Sequence, residues 1–202
     1  MTTTIIFDLG KVLIHWDPRN LYRKIFTDEE EMEYFLREVC SPDWNEAQDA
    51  GRTWAEGVFL AQNQFPKYHK EIAAFEKRWP EMLDGAVEGT VDILKTIHSQ
   101  QRHRLYALTN WSRETFPIAR AQFDFLNLFA GILVSGEEMM KKPDPRIYQL
   151  LLDRYQITAK ESVFIDDSER NVEGARKMGI PSILFVSPQQ LKRDLLDFGV
   201  VL

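Results

Sequence analysis

Runs of apolar and β-branched residues alternate along this chain with segments in which apolar side chains recur at helical spacing. Thr3-Thr4-Ile5-Ile6-Phe7 is stopped at once by Asp8-Leu9-Gly10, the pattern of a short strand buried on both faces. Four comparable runs follow: Arg104 to Leu108, Gly131 to Val134, Ser162 to Ile165 and Ser182 to Val186. Between them Val87, Val91, Leu94 and Ile97 step by four and three, and Ile147, Leu150, Leu151 and Tyr155 share one helical face. A third helical segment, Val172 to Met178, stops at Gly179-Ile180-Pro181, with glycine just past the last turn and proline shortly after. Strand and helix in alternation predict an α/β fold of βαβ units, a mostly parallel sheet covered on both faces.

Residues 15 to 84 break the pattern. They have little strand character, carry helical runs such as Asn20 to Phe26 and Glu29 to Val39, and hold Trp16, Trp44, Trp54 and Trp79, four of the five tryptophans. The stretch reads as a helical insertion, with Pro80 to Gly89 as the return linker and Asp28 to Glu31 as the solvated first turn of a helix. Two lobes with a cleft between them are expected: residues 1–14 with 85–202, and residues 15–84.

Composition narrows the class of function. At 202 residues, 44% hydrophobic and 12% aromatic, the chain can bury a sizeable core and is not disordered. Its 31 acidic and 25 basic residues leave a net charge of −6, which gives nucleic acid and anionic lipid no electrostatic foothold. An anionic ligand would need a locally cationic pocket. Cys40 stands alone, so no disulfide is expected, and the opening MTTTIIFDLG lacks the basic and apolar regions of an export signal. A cytoplasmic protein is the expectation. No apolar run approaches the roughly 18 residues of a membrane span. Monomer and homodimer are both open.

Ligands of an open parallel sheet sit at the carboxyl ends of its strands. Asp8 ends the first predicted strand, Thr109-Asn110 the second and Asp166-Asp167 the fourth, while Lys142 precedes Pro143-Asp144-Pro145 after the third. Each has an ordinary reading: Asp8 and Thr109-Asn110 as turn residues, Asp166-Asp167-Ser168 as a helix cap, Lys142 as a solvated residue before proline. Two adjacent carboxylates, however, repel unless a cation stands between them. Hard oxygen ligands suit Mg²⁺, which usually brings a phosphate. Together the four pieces fit phosphomonoester hydrolysis, in which positive charge and donors must surround the transferring oxygens. Asp8 would attack phosphorus to form an aspartyl-phosphate. Mg²⁺ would sit between Asp8 and the acidic pair, and Lys142, Thr109 and the Asn110 backbone N–H would hold the remaining oxygens.

In that order, Phe7-Asp8-Leu9-Gly10, Leu108-Thr109-Asn110, Lys142-Pro143-Asp144-Pro145 and Phe164-Ile165-Asp166-Asp167 resemble the four motifs of the haloacid dehalogenase superfamily. The helical insertion resembles its type 1 cap. The resemblance implies a Rossmann-like, doubly wound core with Asp8 as nucleophile, Thr109 as phosphate ligand and Lys142 as charge partner. It places metal on Asp8, the Gly10 carbonyl and Asp166 or Asp167. A bacterial branch similar to the glucose-1-phosphate phosphatases, with Asp-Leu-Gly-Asn at the first motif, matches best; Lys11 replaces that Asn.

Gly10 is the departure. Most phosphatases of the superfamily carry at that position an Asp that protonates the leaving group and then activates water. Haloacid dehalogenases also lack it, yet they use no metal and have neutral residues where this chain has Asp166-Asp167. The expected activity is therefore a Mg²⁺-dependent phosphatase acting on a small phosphorylated metabolite. An anomeric sugar phosphate, with its more acidic leaving oxygen, would ease the lack of an acid. His15, Asp17 and a water held by Lys11 are the substitutes within reach of the first motif. A metal-independent 2-haloacid dehalogenase and a catalytically weak phospho-acceptor protein are the alternatives. From the insertion, Trp44, Asn45, Asp49 and Arg52 are offered to the cleft, Trp44 and Arg52 as substrate-binding candidates. The competing reading has Trp44 packing with Trp54 inside the helical lobe and Asp49 paired with Arg52 at its surface. His69, His98 and His103 show no metal-ligand spacing.

Overall fold

The computed structural model describes residues 2–202; Met1, at the head of the expected core segment, lies outside them. In chain order the elements are β1 (Thr4–Phe7), β2 (Ile14–Trp16), α1 (Arg19–Tyr22), α2 (Glu29–Tyr34), α3 (Pro42–Asp49), α4 (Trp54–Gln64), α5 (His69–Lys77), β3 (Leu83–Ala86), α6 (Glu88–Gln100) and β4 (Arg104–Thr109). There follow α7 (Phe116–Gln122), β5 (Gly131–Val134), α8 (Ser135–Glu138), α9 (Pro145–Tyr155), β6 (Ser162–Asp166), α10 (Glu169–Lys177), β7 (Ser182–Leu184) and α11 (Pro188–Asp197).

Five strands form one sheet in the order β5-β4-β1-β6-β7, every pair parallel. β1 lies in the middle because all four of its side chains are buried, which only a strand covered on both faces can satisfy. The two-residue period sends Ile5 and Phe7 to one face, with Val91, Leu94 and Ile97 of α6, and Ile6 to the other, with Ile147, Tyr148 and Leu151 of α9. Chain order reverses at β1, with β4 on one side and β6 on the other. Phe7 pairs with Ala107 and with Ile165, so the residues just beyond them emerge together at one edge of the sheet.

The chain between β2 and β3 is helical. Asp28, Ser41 and Thr53 cap α2, α3 and α4 by accepting the N–H of Glu30, Trp44 and Glu56, and Glu29, Glu30 and Glu31 occupy the first turn of α2. Aromatic rings fill its interior: Trp54 stacks on Phe75 at 5.4 Å, Trp44 meets Phe75 edge-on at 5.1 Å, and Tyr22 lies 4.8 Å from Phe35.

One local expectation is corrected. Leu83–Ala86, read as linker, pairs antiparallel with Ile14–Trp16, Ile14 opposite Ala86 and Trp16 opposite Leu83, with an irregularity between them. A four-residue segment containing Asp84 and Gly85 has no strand pattern of its own, and the strand forms because the two ends of the helical stretch return to one place. Among the described residues no helix is long and apolar enough to cross a membrane.

Candidate active site

Lys142 anchors the sheet end. It is fully buried, and its ammonium donates to the Leu108 carbonyl at 2.8 Å and to Asp166 Oδ2 at 2.6 Å while lying 2.9 Å from Asp8 Oδ1. Three donors thus meet three acceptors. Its place is fixed by Asn110, whose side chain accepts the Lys142 N–H at 2.8 Å and donates to the Lys142 carbonyl at 3.0 Å. Asp166 is equally engaged. It accepts from Lys142, from the Ser168 N–H at 2.8 Å and from Asn171 Nδ2 at 3.0 and 3.2 Å, and Tyr148 holds Asn171 in turn by donating to its carbonyl at 2.8 Å.

Asp8, Asp166 and Asp167 each bring one carboxylate oxygen within 4.8 Å of the others. One buried ammonium stands against three carboxyl groups; the nearest other cation is exposed Lys11, 4.0 Å from Asp167. The imbalance shows in the titration of the site. Burial raises the Asp8 carboxyl to about 7, with Lys142 opposing and Asp166 adding to the shift. Burial raises Asp167 as well, with Asp166 contributing. Burial works against the charge on Lys142, but Asp166 and Asp8 outweigh it and hold the ammonium above its ordinary pKa. A further cation among these oxygens would relieve the repulsion, and the donor set, all hard oxygens, fits Mg²⁺. Thr109 at the end of β4 is buried with its hydroxyl unpartnered, a costly state that a ligand oxygen would end.

Gly10 opens a tight turn in which Leu9 accepts the N–H groups of Leu13 and Ile14, and Lys11 adopts φ 59°. A Cβ at position 10 would meet no atom within 4 Å.

The remaining candidates sort by what holds them. Arg52 donates to Gln48 Oε1 at 2.6 Å and to the Trp44 carbonyl at 2.9 Å, and the Trp44 indole donates to the Gly57 carbonyl at 3.0 Å. Their polar groups are spent inside the helical stretch, and no hydrogen bond among the described residues joins either to the strand-end cluster. Asp17 accepts from the backbone and the guanidinium of Arg19, and His15 is exposed on β2.

Asp49 is different. Its carboxylate accepts the side-chain amide of Asn45 at 3.3 Å and lies close enough to the Ser112 N–H, three residues past Thr109, to feel its dipole. Its own carbonyl accepts the Ser135 hydroxyl at 2.5 Å, and that hydroxyl accepts the Trp111 N–H at 2.9 Å. Beside it Glu46 pairs with both Lys141 and Arg170, and the Trp54 N–H reaches Glu114 at 3.2 Å. The end of α3 is thereby bound to the loops after β4 and β5. Sequence spacing does not single out Asp49 from its neighbours; that the end of α3 meets the loops after β4 and β5 is visible only in three dimensions.

Comparison with known proteins follows the same lines. Residues 2–179 match the model of the haloacid dehalogenase-like hydrolases. A sesquiterpene phosphatase of Aspergillus oryzae is 26% identical over 87% of this chain and 85% of its own length. A phosphorylated carbohydrates phosphatase of Thermotoga maritima is 36% identical over 69% of this chain and 65% of its own. The chain spans 37% and 7% of the length of two longer curated relatives. Among solved structures, a haloacid dehalogenase family enzyme of Bacteroides thetaiotaomicron in complex with magnesium and inorganic phosphate superposes with a TM-score of 0.71 at 23% identity, covering 93% of this chain and 95% of that one.

Proposed function

This chain belongs to the haloacid dehalogenase-like hydrolases, and on that premise we propose that it is a Mg²⁺-dependent phosphatase that hydrolyses a small phosphomonoester through an aspartyl-phosphate on Asp8. The observation that carries the reading is the convergence of Asp8, Asp166 and Asp167 around one buried ammonium, beside an unpartnered Thr109 hydroxyl.

Asp8 Oδ attacks phosphorus, and the bond to the leaving oxygen breaks. Lys142 opposes the rise that burial brings to the Asp8 carboxyl, favouring its ionised form for the attack, and faces the charge of the phosphoryl group. Thr109 Oγ1 and the Asn110 N–H receive the phosphoryl oxygens, and the Asn110 side chain holds Lys142 in register. Asp8, the Gly10 carbonyl and the Asp166–Asp167 pair would hold Mg²⁺, which would supply charge neutralisation for the approach of a carboxylate to a phosphate. Asp167 is the freer ligand of the pair, because the Asp166 oxygens already accept from Lys142, Ser168 and Asn171. Residues 15–84 act as the cap over this site, of the helical type 1 kind. The carbohydrate phosphatase among the relatives supports a sugar phosphate as substrate, within a branch similar to the glucose-1-phosphate phosphatases. Lone, buried Cys40 suits a reducing cytoplasm.

A metal-independent dehalogenase would leave three converging carboxyl groups to a single ammonium, and would need an arginine for the substrate carboxylate where Arg52 is already tied to Gln48 and Trp44. The test is a panel of hexose 1- and 6-phosphates, a prenyl phosphate and p-nitrophenyl phosphate, turned over by wild type and Asp8→Asn with Mg²⁺ or with EDTA. Wild type should need the metal and prefer a sugar phosphate, and Asp8→Asn should lose about 10⁴-fold or more in kcat with its fold intact. Activity surviving in Asp8→Asn would remove the nucleophile. Preference for the prenyl ester would move the substrate class, indifference to EDTA would favour the dehalogenase, and stable phosphorylation without turnover the phospho-acceptor.

A further inference from the structure

Cleaving an alkyl phosphate needs a proton for the departing oxygen, and hydrolysing the acyl phosphate left behind needs a base for the attacking water. At the end of β1 the chain offers neither, since Gly10 has no side chain. Asp17 is occupied by Arg19, His15 is exposed on β2, and Asp166 and Asp167 are the proposed metal ligands, Asp166 also accepting from Lys142, Ser168 and Asn171.

Asp49 brings a further carboxyl group to this end of the sheet. It is the last residue of α3, and its carbonyl accepts the Ser135 hydroxyl that also receives the Trp111 N–H, which sets this helix end against the loop that follows Thr109. The site is built for it. Ser135 fixes the Asp49 main chain to the β4 and β5 loops, and Asn45 fixes one carboxyl oxygen from the preceding turn. We propose that Asp49, reaching in from the helical stretch, is the general acid–base of this enzyme, in the place of the side chain that position 10 lacks. The inference rests on the phosphatase reading above.

The cycle balances. Asp8 Oδ bonds to phosphorus, the P–O bond to the alcohol breaks, and the leaving oxygen takes that electron pair and the proton of Asp49. The Asp49 carboxylate then takes a proton from water as the water oxygen bonds to phosphorus. The P–O bond to Asp8 breaks and its electron pair returns to the carboxylate. Alcohol and phosphate leave, with Asp8 ionised and Asp49 protonated as at the start. The surroundings of Asp49 suit the exchange. Burial raises its carboxyl to about 7; Glu46 on the same helix and Asp8 just past β1 add to the shift, while Lys141 and the Ser112 N–H oppose it. The negative end of the α3 dipole also disfavours the carboxylate. An acid near neutrality can both give and take the proton.

The experiment compares a simple alkyl phosphate with p-nitrophenyl phosphate, whose leaving group needs no proton, in wild type and Asp49→Asn with Mg²⁺. Asn is isosteric and can still face the Ser112 N–H. In Asp49→Asn, kcat/KM for the alkyl ester should fall by about 10² to 10⁴ and that for p-nitrophenyl phosphate by less than about tenfold. In the Asp49→Asn background, Gly10→Asp, which has open space for its side chain, should restore at least tenfold of the loss on the alkyl ester. An equal loss on both esters marks Asp49 as a structural residue and overturns the proposal, as does no loss on either. A wild type inert toward every ester, or an active Asp8→Asn, would instead bring down the phosphatase reading itself.

Discussion

At the end of the sheet, Lys142 spends three donors on Leu108, Asp8 and Asp166, whereas between β2 and β3 the interior is rings: Phe75 against Trp54 and Trp44, Tyr22 against Phe35. The first region is held by bonds that each have one correct partner, so removing a group strands another charge in a dry place. The second is held by contact area, which a different apolar side chain can partly replace. Under the proposed function, specific chemistry belongs to the strand ends, and the helical stretch is free to vary except where a polar side chain leaves its interior and touches the loops of the sheet.

The contrast is most exposed to a change at Lys142. Lys142→Met keeps the length of the side chain and leaves Asp8 and Asp166 uncompensated, and should cost about 3–5 kcal/mol in urea unfolding at neutral pH. A cost below about 1 kcal/mol would show that the ammonium is not what holds this end together. Phe75→Leu, the corresponding change among the rings, should cost about 1–2 kcal/mol and leave kcat on p-nitrophenyl phosphate unaltered; a tenfold loss of kcat would mean that ring packing also sets the chemistry. Glu46→Gln should do least. Burial works to raise the Glu46 carboxyl, but Lys141 and Arg170 outweigh it and hold it below its ordinary value. The folded state thus favours the ionised form, and the bridge is present at neutral pH and lost as the pH falls through that depressed value. Its removal should raise KM roughly two- to fivefold at neutral pH, with the difference from wild type fading in acid.

The five strands of the main sheet were legible because each is a largely apolar run cut off by polar residues, and the candidate site residues Asp8, Thr109 and Asp166 stand where the apolar pattern stops. β3 was not legible, because Asp84 and Gly85 carry no strand preference and the pairing is made by two distant segments returning together. Asn110 was read through its backbone alone, while its side chain does the work of positioning Lys142. Asn171 gave no signal at all. Its bond to Asp166 depends on where the first turn of α10 happens to face. Asp49 was one of four residues that the insertion offered to the cleft; that it, rather than Trp44 or Arg52, meets the loop after β4 is decided by the close of α3 and by Ser135.

Ser135 has a consequence for the timing of turnover. A single hydroxyl stands between the carbonyl that ends α3 and the amide that follows Thr109-Asn110, so the helix cannot withdraw without tugging on that strand end. Under the proposed mechanism, release of the alcohol and release of the anion would then be mechanically geared, and the door to the cleft would move at the pace of the slower to depart.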